Sequence, residues 1–432
     1  MDKQRQRTLL GWLRQRRKLA GRWLSLSVLC GGLSAGLLIA QSWLLASLLH
    51  ALIAEAPVKP ELLPSLSLIL LLVIGRALLA WLREQCAFAG AARVRQQVRR
   101  ELLDTLARRG PAYLQRKAAG SWASLLHEQV ENLHDFYARY LPQTQLSGLQ
   151  PLLILLAVFP VNWAAGLILL GTAPLIPLFM ILTGLGAADA NRRNFAALGR
   201  LSGHFLDRLK GLATLRLYQR TEAEGVAIAR TSEDFRERTM EVLRMAFLSS
   251  AVLEFFASLS IALIAVYFGF NYLEHLQFGS YGTKTTLFTG LFVLLLAPDF
   301  YMPLRELGAH YHAKAQAIGA ADSIEHFLSR PILPLPGGEQ RPDLDTPFDI
   351  VATELQVLSP EGTPLVGPLS FTLPHGQQTL LLGRTGSGKS SLINALLGFL
   401  PYEGNLTIAG IELRELDMAH WRAHLGWLGQ NP

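Results

Sequence analysis

Charged residues and cysteines are scarce in this sequence. Charged side chains make up 17% of the 432 residues and hydrophobic ones 50%, whereas a typical soluble domain is about 25% charged. The 2 cysteines exclude a disulfide scaffold and a four-cysteine metal site. The apolar content excludes a disordered protein and argues against an ordinary soluble enzyme over most of the length. The net charge of +7 does not indicate nucleic-acid binding, because the basic residues flank apolar runs.

Charge is also missing or rare in long internal runs, which predict membrane-spanning helices. The predicted spans lie in five runs, at 23–54, 62–90, 140–188, 245–272 and 285–298. A span needs about 20 mostly apolar residues, so the third run is long enough for two spans with a tight turn at residues 160–163. The sixth span is the shortest, and Pro298 and Pro303 are expected to kink it.

Lysine and arginine are unevenly placed around these runs. Eight of them lie at or before Arg22, and segments 93–117 and 192–244 are again rich in arginine, whereas the loops on the other side hold almost none. The positive-inside rule therefore predicts that both ends of the chain are cytoplasmic. Helical spacing within the basic segments predicts helical extensions that contact a cytoplasmic partner. This spacing is clearest for Leu206, Leu209, Leu212 and Leu215.

A segment rich in proline and glycine precedes a different kind of sequence. Residues 331–347 contain five prolines and two adjacent glycines, which is typical of a linker. Short β-type runs separated by turn residues follow it, at 348–352, 355–358, 369–373 and 379–382. We therefore expect a membrane domain over 1–330, a linker over 331–347 and a partial α/β nucleotide-binding domain over 348–432.

The most specific motif is GRTGSGKS at residues 383–390, which matches the phosphate-binding loop pattern. Its glycines let backbone N–H groups converge on a phosphate. Lys389 is expected to bridge the β- and γ-phosphates of ATP, and Ser390 to offer its hydroxyl to Mg²⁺. An apolar strand before the loop and an apolar helix after it argue against a glycine-rich turn that merely contains lysine. The expected phosphate contacts are Gly383, Arg384, Thr385, Gly386, Ser387, Gly388, Lys389, Ser390 and Ser391.

Ionisable residues within or beside the spans are candidate cargo contacts. Arg76 and Arg83 are seven residues apart and share a helix face, so a cavity beside them would attract carboxylates. Alternatively, Arg83 extends to the membrane boundary, and Glu254 is expected to pair with one of the two arginines. Tyr311 and His312, at the inner end of span six, are candidate ligands of haem iron. The alternative for His312 is a hydrated residue near the headgroups.

Six spans, a proline-rich linker and a phosphate loop, in that order, resemble a half-transporter of the ABC exporter type. Segment 203–217 (GHFLDRLKGLATLRL) resembles the second cytoplasmic extension, which carries a coupling helix. Segment 425–432 (LGWLGQNP) resembles the glutamine loop. This resemblance implies that Gln430 contacts Mg²⁺ and that Lys389 and Gln430 are catalytic residues.

A narrower resemblance, to the CydD family, rests on segments 122–142 and 162–193. It implies an all-α membrane domain with six spans and type I ABC exporter architecture, in a bacterial inner membrane. It also implies ATP and Mg²⁺ as cofactors, a CydC-like half-transporter as partner, contact with membrane lipid and no nucleic-acid partner. The implied activity is ATP-driven transport of cysteine, glutathione or haem, needed for cytochrome bd assembly. Two alternatives stay open: a nucleotide-binding assembly subunit without turnover, and a general multidrug or lipid exporter.

Two features depart from the family pattern. The sequence stops two residues after Gln430, before the signature motif, the Asp-Glu strand of the Walker B motif and the switch histidine. Residues 1–432 alone are therefore not expected to hydrolyse ATP. The family also stacks adenine on an aromatic residue before the phosphate loop, and Ser359 aligns at that position. Base stacking is accordingly expected to be weak or supplied elsewhere.

Overall fold

The computed structural model describes residues 3–54, 62–115, 119–276, 278–282, 285–331 and 333–428. Within these ranges the chain is mostly helical and ends in a small sheet. The helices are α1 (Lys3–Ala54), α2 (Leu62–Leu114), α3 (Ala119–Ser124), α4 (Leu141–Val158), α5 (Trp163–Thr172), α6 (Leu175–Lys210), α7 (Leu212–Leu217), α8 (Thr221–Tyr272), α9 (Leu287–Ala309), α10 (Tyr311–Ser329), α11 (Lys389–Leu396) and α12 (Met418–Ala423). Short π-helical turns occur at Leu125–Gln129 and Phe136–Tyr140. The strands are β1 (Ile350–Leu358), β2 (Pro364–Leu373), β3 (Tyr402–Ile408) and β4 (Ile411–Glu412).

Four helical stretches of the described chain are long and apolar enough to cross a membrane. They lie at Gln4–Ile53, Leu63–Leu114, Ala251–Tyr272 and Leu287–Ser329 and contain predicted spans one, two, five and six. Predicted spans three and four correspond to the 18 residues of α4 and to the 10 residues of α5, which is followed by α6. The predicted turn between α4 and α5 is confirmed at residues 159–162.

Asn162 explains why α5 begins where it does. Its backbone is extended, with φ −156° and ψ 111°, and its Oδ1 accepts the backbone N–H of Ala165 at 2.9 Å. The Nδ2 group of Asn162 also donates to the Tyr267 hydroxyl at 3.1 Å. A helix start leaves N–H groups without helical partners, and this buried asparagine satisfies one of them while tying the turn to α8.

The described residues form two compact units, and the larger one comprises residues 14–93 and 133–317. Its core is built by apolar side chains of α5, α8 and α9, including the fully buried Leu169, Ile264 and Phe292. Pro298 and Pro303 lie inside α9, and the kink expected at these residues remains a prediction.

Small residues let the helices of this unit approach closely. A Cβ atom on Gly31 would lie 2.6 Å from a methyl group of Leu146, which brings α1 against α4. A Cβ atom on Gly75 would lie 3.2 Å from Leu37, so α2 runs close beside α1 at that level. Membrane helices commonly associate through such small residues, because lipid provides no hydrophobic drive for helix pairing.

Three hydroxyl groups form a hydrogen-bonded cluster that joins α5, α8 and α9. The Thr172 hydroxyl is 2.9 Å from the Ser260 hydroxyl and 2.6 Å from the Tyr301 hydroxyl, and Ser260 and Tyr301 are also hydrogen-bonded to each other. Ser260 and Tyr301 are almost fully buried. In an apolar environment each of these groups needs a partner, so the cluster fixes how the three helices pack.

The smaller unit comprises residues 1–13, 94–132 and 318–432 and contains the sheet. The strand order is β2-β1-β3-β4, with every neighbouring pair antiparallel. Leu355 of β1 and Leu406 of β3 are fully buried, and Leu392 of α11 packs with them. The domain limits expected from the sequence, including the linker at 331–347, remain a prediction.

The structure corrects the predicted strands in two respects. Segments 348–352 and 355–358 are joined in the single strand β1, and segment 379–382 forms no strand. A strand requires a neighbour for its backbone hydrogen bonds, and no described strand pairs with segment 379–382. Its leucines are accordingly exposed, Leu380 and Leu382 both at 79%.

The predicted helical extension after span four is present. Helix α6 continues to Lys210, Gly211 interrupts it, and the six-residue α7 follows before α8 begins at Thr221. The regularly spaced leucines between residues 206 and 215 therefore lie on two helices rather than one. The role of this segment as a coupling helix remains a prediction.

Arg109, near the end of α2, is buried at 2% exposure in the smaller unit. Its Nη2 donates to the backbone oxygens of Phe327 at 2.6 Å and Arg330 at 3.1 Å, and its Nη1 donates to the Tyr113 hydroxyl at 2.8 Å. The guanidinium also lies 4.1 Å from the ring centre of Phe327. Arg109 thus holds the carboxyl end of α10 against α2, and carbonyl oxygens at a helix end favour a nearby cation.

Candidate functional site

The phosphate loop occupies the segment between β2 and α11, and two of its glycines adopt positive φ angles. These angles are +86° at Gly386 and +90° at Gly388, a region that residues with a side chain rarely enter. At Gly388 a Cβ atom would also lie 2.7 Å from the Cβ of Val366. Glycine is therefore required at Gly388 both by backbone conformation and by the approach of β2.

Lys389 is the first residue of α11, and its side chain turns back across the loop. Its Nζ donates to the backbone oxygens of Gly383 at 2.7 Å and Arg384 at 2.9 Å. A Cβ atom on Gly383 would lie 2.7 Å from the Ser387 hydroxyl, so the loop closes tightly. The lysine ammonium and the first N–H groups of α11, which have no helical partners, lie at the same end of the helix. This combination suits a bound phosphate.

The other predicted phosphate contacts lie in the loop and in the first turn of α11. Arg384, Thr385 and Ser387 are exposed in the loop, Ser390 is exposed in the first turn of α11, and Ser391 is half-buried. The Ser390 hydroxyl is accessible to an ion that bridges the phosphates, which fits the expected Mg²⁺ contact. The Mg²⁺ and ATP contacts of these residues remain predictions. Gln430 lies outside the described residues.

Ser359 has a structural use that is incompatible with stacking on a base. It is buried at 3% exposure, and its hydroxyl accepts the backbone N–H groups of Glu361 at 3.2 Å and Thr363 at 3.1 Å. The side chain therefore stabilises the turn between β1 and β2. Adenine has to be held by other residues.

The two positive-φ glycines of the loop give a matched test. Gly388→Ala is expected to reduce ATP-analogue binding by the full-length protein about tenfold or more, because it combines backbone strain with the contact to Val366. Gly386→Ala introduces only the strain, since nothing lies within 4 Å of its Cβ position, and should have the smaller effect. Equilibrium binding of a fluorescent ATP analogue measures both. Equal losses would contradict the assigned loop geometry.

In the larger of the two units, Arg76 interacts with two residues that the sequence did not mark as candidate site residues. Its Nη1 donates to the Gln41 Oε1 at 2.8 Å, and its charge acts on the Asp299 carboxylate of α9. Both Arg76 and Asp299 are half-buried. The hydrogen bond between Arg76 and Gln41 links α2 to α1 in this unit.

The expected pairing of Glu254 with Arg76 or Arg83 is wrong. Glu254 forms an ion pair with Arg305 instead, because α8 packs beside α9, which carries Arg305. Arg83 is half-buried on α2 and acts electrostatically on His310. Its interpretation as a cargo contact or as a residue that extends to the membrane boundary remains a prediction.

Tyr311 and His312 lie at the break between α9 and α10, where His310 ends α9. Tyr311 is 38% exposed and its ring centre is 5.4 Å from the Lys314 Nζ, while His312 is exposed. No group of three or more His, Cys, Asp or Glu side chains suited to a metal ion occurs among the described residues. The assignment of Tyr311 or His312 to haem iron remains a prediction.

The sequence does not mark Asp299 and Gln41 as candidate site residues, for reasons that can be identified. Asp299 follows directly after the apolar run 285–298 and therefore lies outside the predicted sixth span. Gln41 lies inside the first span but is uncharged, so a search for ionisable residues passes over it. A search that extended each span by one helical turn and included amides would have found both.

Comparisons with known proteins place this geometry in a family. The family profile described as ABC transporter transmembrane region matches residues 24–295, and the profile described as ABC transporter matches residues 366–432. The two matches cover the span helices and the phosphate loop, respectively.

Three relatives span most of the chain. It is 56% identical over 432 residues to the glutathione/L-cysteine transport system ATP-binding/permease protein CydD of Escherichia coli (strain K12), covering 100% of this chain and 74% of that protein. It is 54% identical over 438 aligned residues to the transport ATP-binding protein AarD of Providencia stuartii, with the same coverage. It is 30% identical over 377 residues to the glutathione/L-cysteine transport system ATP-binding/permease protein CydC of Bacillus subtilis (strain 168). That alignment covers 86% of this chain and 64% of that protein. The chain thus spans about three quarters of the length of its CydD relative.

Proposed function

This chain belongs to the ABC transporter family as a homologue of CydD, and from that premise we propose that it is one half of an ATP-driven transporter of glutathione and L-cysteine. The observation that carries the proposal is the 56% identity over the whole chain to a relative named for that transport. The alignment includes both the phosphate loop, which would bind ATP, and the span helices, which would form the transport path. Through that transport the protein would serve cytochrome bd assembly, which the sequence resemblance implies.

The nucleotide would be held by the loop residues Gly383 to Ser391, with Lys389 on the β- and γ-phosphates. The Ser390 hydroxyl and the Gln430 side chain would hold Mg²⁺, which would supply neutralising charge on the phosphates. Catalysis is proposed for the full-length protein, in which the signature, Walker B and switch-histidine motifs would complete the site. The proposed division is a membrane domain over 1–330, a linker over 331–347 and a nucleotide-binding domain from 348.

The proposed partner is a CydC-like half-transporter, which forms a heterodimer with this chain. The similarity to CydC supports two related halves. The surface of α2 supports the same proposal, because none of the most apolar 18 residues of this helix is buried by the rest of the chain. Membrane lipid and a partner half would cover that surface. The proposed location is a bacterial inner membrane, with both ends of the chain in the cytoplasm, on the strength of the arginine-rich segments.

Cargo-stimulated ATP turnover by the full-length heterodimer tests the proposal. Glutathione and cysteine are expected to stimulate turnover, whereas a hydrophobic dye is not. Stimulation by the dye alone would favour a general exporter, and nucleotide binding without turnover would favour an assembly subunit. Stimulation by haem alone, with a Soret band in the purified complex, would favour haem as cargo and support the roles of Tyr311 and His312.

A further inference from the structure

Helix α9 lacks one of its own backbone hydrogen bonds, because Pro303 lies inside it. Proline has no N–H group and cannot donate to the backbone oxygen four residues earlier, which here belongs to Asp299. The Gln150 side chain of α4 replaces the absent donor, since its Nε2 donates to the Asp299 backbone oxygen at 3.2 Å. A side chain of a neighbouring helix thus satisfies an oxygen that α9 itself leaves unpaired.

A second glutamine of α4 binds the backbone of α9 at the proline itself. Gln143 is buried at 5% exposure, and its Nε2 donates to the Pro303 backbone oxygen at 3.0 Å. Residues seven apart share one face of a helix, so Gln143 and Gln150 face α9 together. We term these two side chains the glutamine latch. The latch therefore holds α9 by its backbone over the turn that contains the proline.

The packing of α9 changes at the same residue. Its buried residues all lie at or before Pro303, and they include Phe292, Leu296 and Phe300. Residues 304–309, by contrast, are each half-buried or exposed. Segments with few buried contacts move at lower cost than a packed core. The tightly packed part of α9 and its loosely packed part therefore meet where the backbone hydrogen bond is absent.

The side chains that attach these two parts to other helices also differ. Before the proline, Tyr301 belongs to the buried hydroxyl cluster with Thr172 and Ser260, whose short side chains allow little movement. After the proline, Arg305 forms an ion pair with Glu254 of α8. Both of these side chains are long and can follow a moving backbone by changing rotamers. The first part of α9 is thus fixed more firmly than the last.

We propose that α9 bends at Pro303 during the transport cycle, with Gln143 and Gln150 as positioning residues that keep the backbone oxygens paired. Helices bend sharply at prolines, where the ladder of backbone hydrogen bonds is interrupted. The last part of α9 continues through α10 into the smaller unit, which contains the phosphate loop. Nucleotide binding can therefore reach the bend along the chain itself. This inference rests on the proposed transport function and names the place where span six would move.

Hydrogen exchange of the full-length heterodimer tests the bend without any cargo. Mass spectrometry follows the amides of α9 with and without a non-hydrolysable ATP analogue. We expect the analogue to change the exchange rates of residues 304–309 about threefold or more and those of residues 287–297 little. Pro303→Ala restores the N–H donor and with it the helical hydrogen bond, so it should abolish this response. Pro298→Ala makes the same change in the tightly packed part and should retain it.

A pair of variants tests the latch. Gln150→Leu leaves the Asp299 backbone oxygen without its donor and should lower the midpoint of thermal unfolding by several degrees. In Pro303→Ala the new N–H can donate to that oxygen, so adding Gln150→Leu to this variant should lower the midpoint much less. A glutamine that only fills space would cost the same in both backgrounds. Gln145→Leu makes the matched change at an exposed position of α4 and should leave the midpoint unchanged.

Transport by Pro303→Ala links the bend to function. In inside-out vesicles this variant is expected to accumulate glutathione about tenfold or more slowly than the wild type, while its affinity for the ATP analogue is retained. Wild-type transport by Pro303→Ala would overturn the inference, because a purely structural proline can be replaced without loss of coupling. Should Pro303→Ala fail to assemble, Pro303→Ser supplies the same N–H donor and carries the same expectations.

The outcomes separate this inference from the proposed function. If the wild type binds the analogue but residues 304–309 exchange equally with and without it, the inference is overturned. The inference is also overturned if Pro303→Ala keeps the wild-type response, and the proposed function stands in both cases. If the exchange response is present but the wild type accumulates neither glutathione nor cysteine, the proposed function falls and the bend at Pro303 stands.

Discussion

Replacing Lys389 by alanine in the full-length heterodimer is expected to lower ATP turnover about 100-fold or more and to abolish ATP-dependent transport. The Lys389 ammonium lies across the phosphate loop, within hydrogen-bond distance of the Gly383 and Arg384 backbone oxygens. This ammonium is expected to stabilise charge on the β- and γ-phosphates. Membrane insertion should be unaffected, because Lys389 lies far along the chain from the span helices.

Photolabelling with an azido-ATP analogue, followed by separation of the two subunits, assigns the loss to this chain. Labelling of the Lys389→Ala chain should fall while labelling of the partner is retained. Lys18→Ala makes the same change at an exposed position of α1 and should leave both labelling and turnover at wild-type levels. Transport by Lys389→Ala at the wild-type rate would contradict the role of this loop.

Replacing Arg109 by alanine is expected to destabilise the protein strongly, by about 3 kcal/mol or more. The substitution removes hydrogen bonds from a charged donor to the Phe327 and Arg330 oxygens and to the Tyr113 hydroxyl. It also removes the contact with the Phe327 ring and leaves a cavity between α2 and α10. The midpoint of thermal unfolding of the detergent-purified heterodimer should fall by several degrees.

The neighbouring arginine is the matched control for Arg109. Arg108 is exposed and, among the described residues, donates only to the Asp104 backbone oxygen of its own helix, so Arg108→Ala should change the unfolding midpoint little. Arg109→Lys keeps the charge but loses the planar fork of the guanidinium. Its unfolding midpoint should lie between those of Arg109→Ala and Arg108→Ala. Equal midpoints for Arg109→Ala and Arg108→Ala would show that the buried contacts do not stabilise the native state.

The features that the sequence predicted well depend on neighbouring residues. The phosphate loop is a contiguous motif, because its glycines, lysine and helix start act within a few residues of one another. The turn between α4 and α5 was likewise recognisable, since Asn162 caps the helix that follows it directly. The apolar runs located the span helices because bilayer thickness sets their length.

The features that the sequence missed depend on residues far apart in the chain. Segment 379–382 has the composition of a strand, but strand formation is decided by a neighbour, and none of the described strands provides one. Glu254 had two candidate arginines on α2 and pairs with Arg305 on α9. The hydrogen bond between Arg76 and Gln41 follows from helix packing, which spacing along one helix cannot reveal.

Accumulation of glutathione in inside-out vesicles tests the account most directly. The vesicles contain the full-length heterodimer, and labelled glutathione is supplied outside with ATP, with a non-hydrolysable ATP analogue, or with no nucleotide. We expect glutathione to accumulate above its external concentration with ATP, but not with the analogue or without nucleotide. The Lys389→Ala variant should lose this accumulation. Equal glutathione levels under all three conditions would contradict the claim that ATP hydrolysis at this loop drives cargo through these helices.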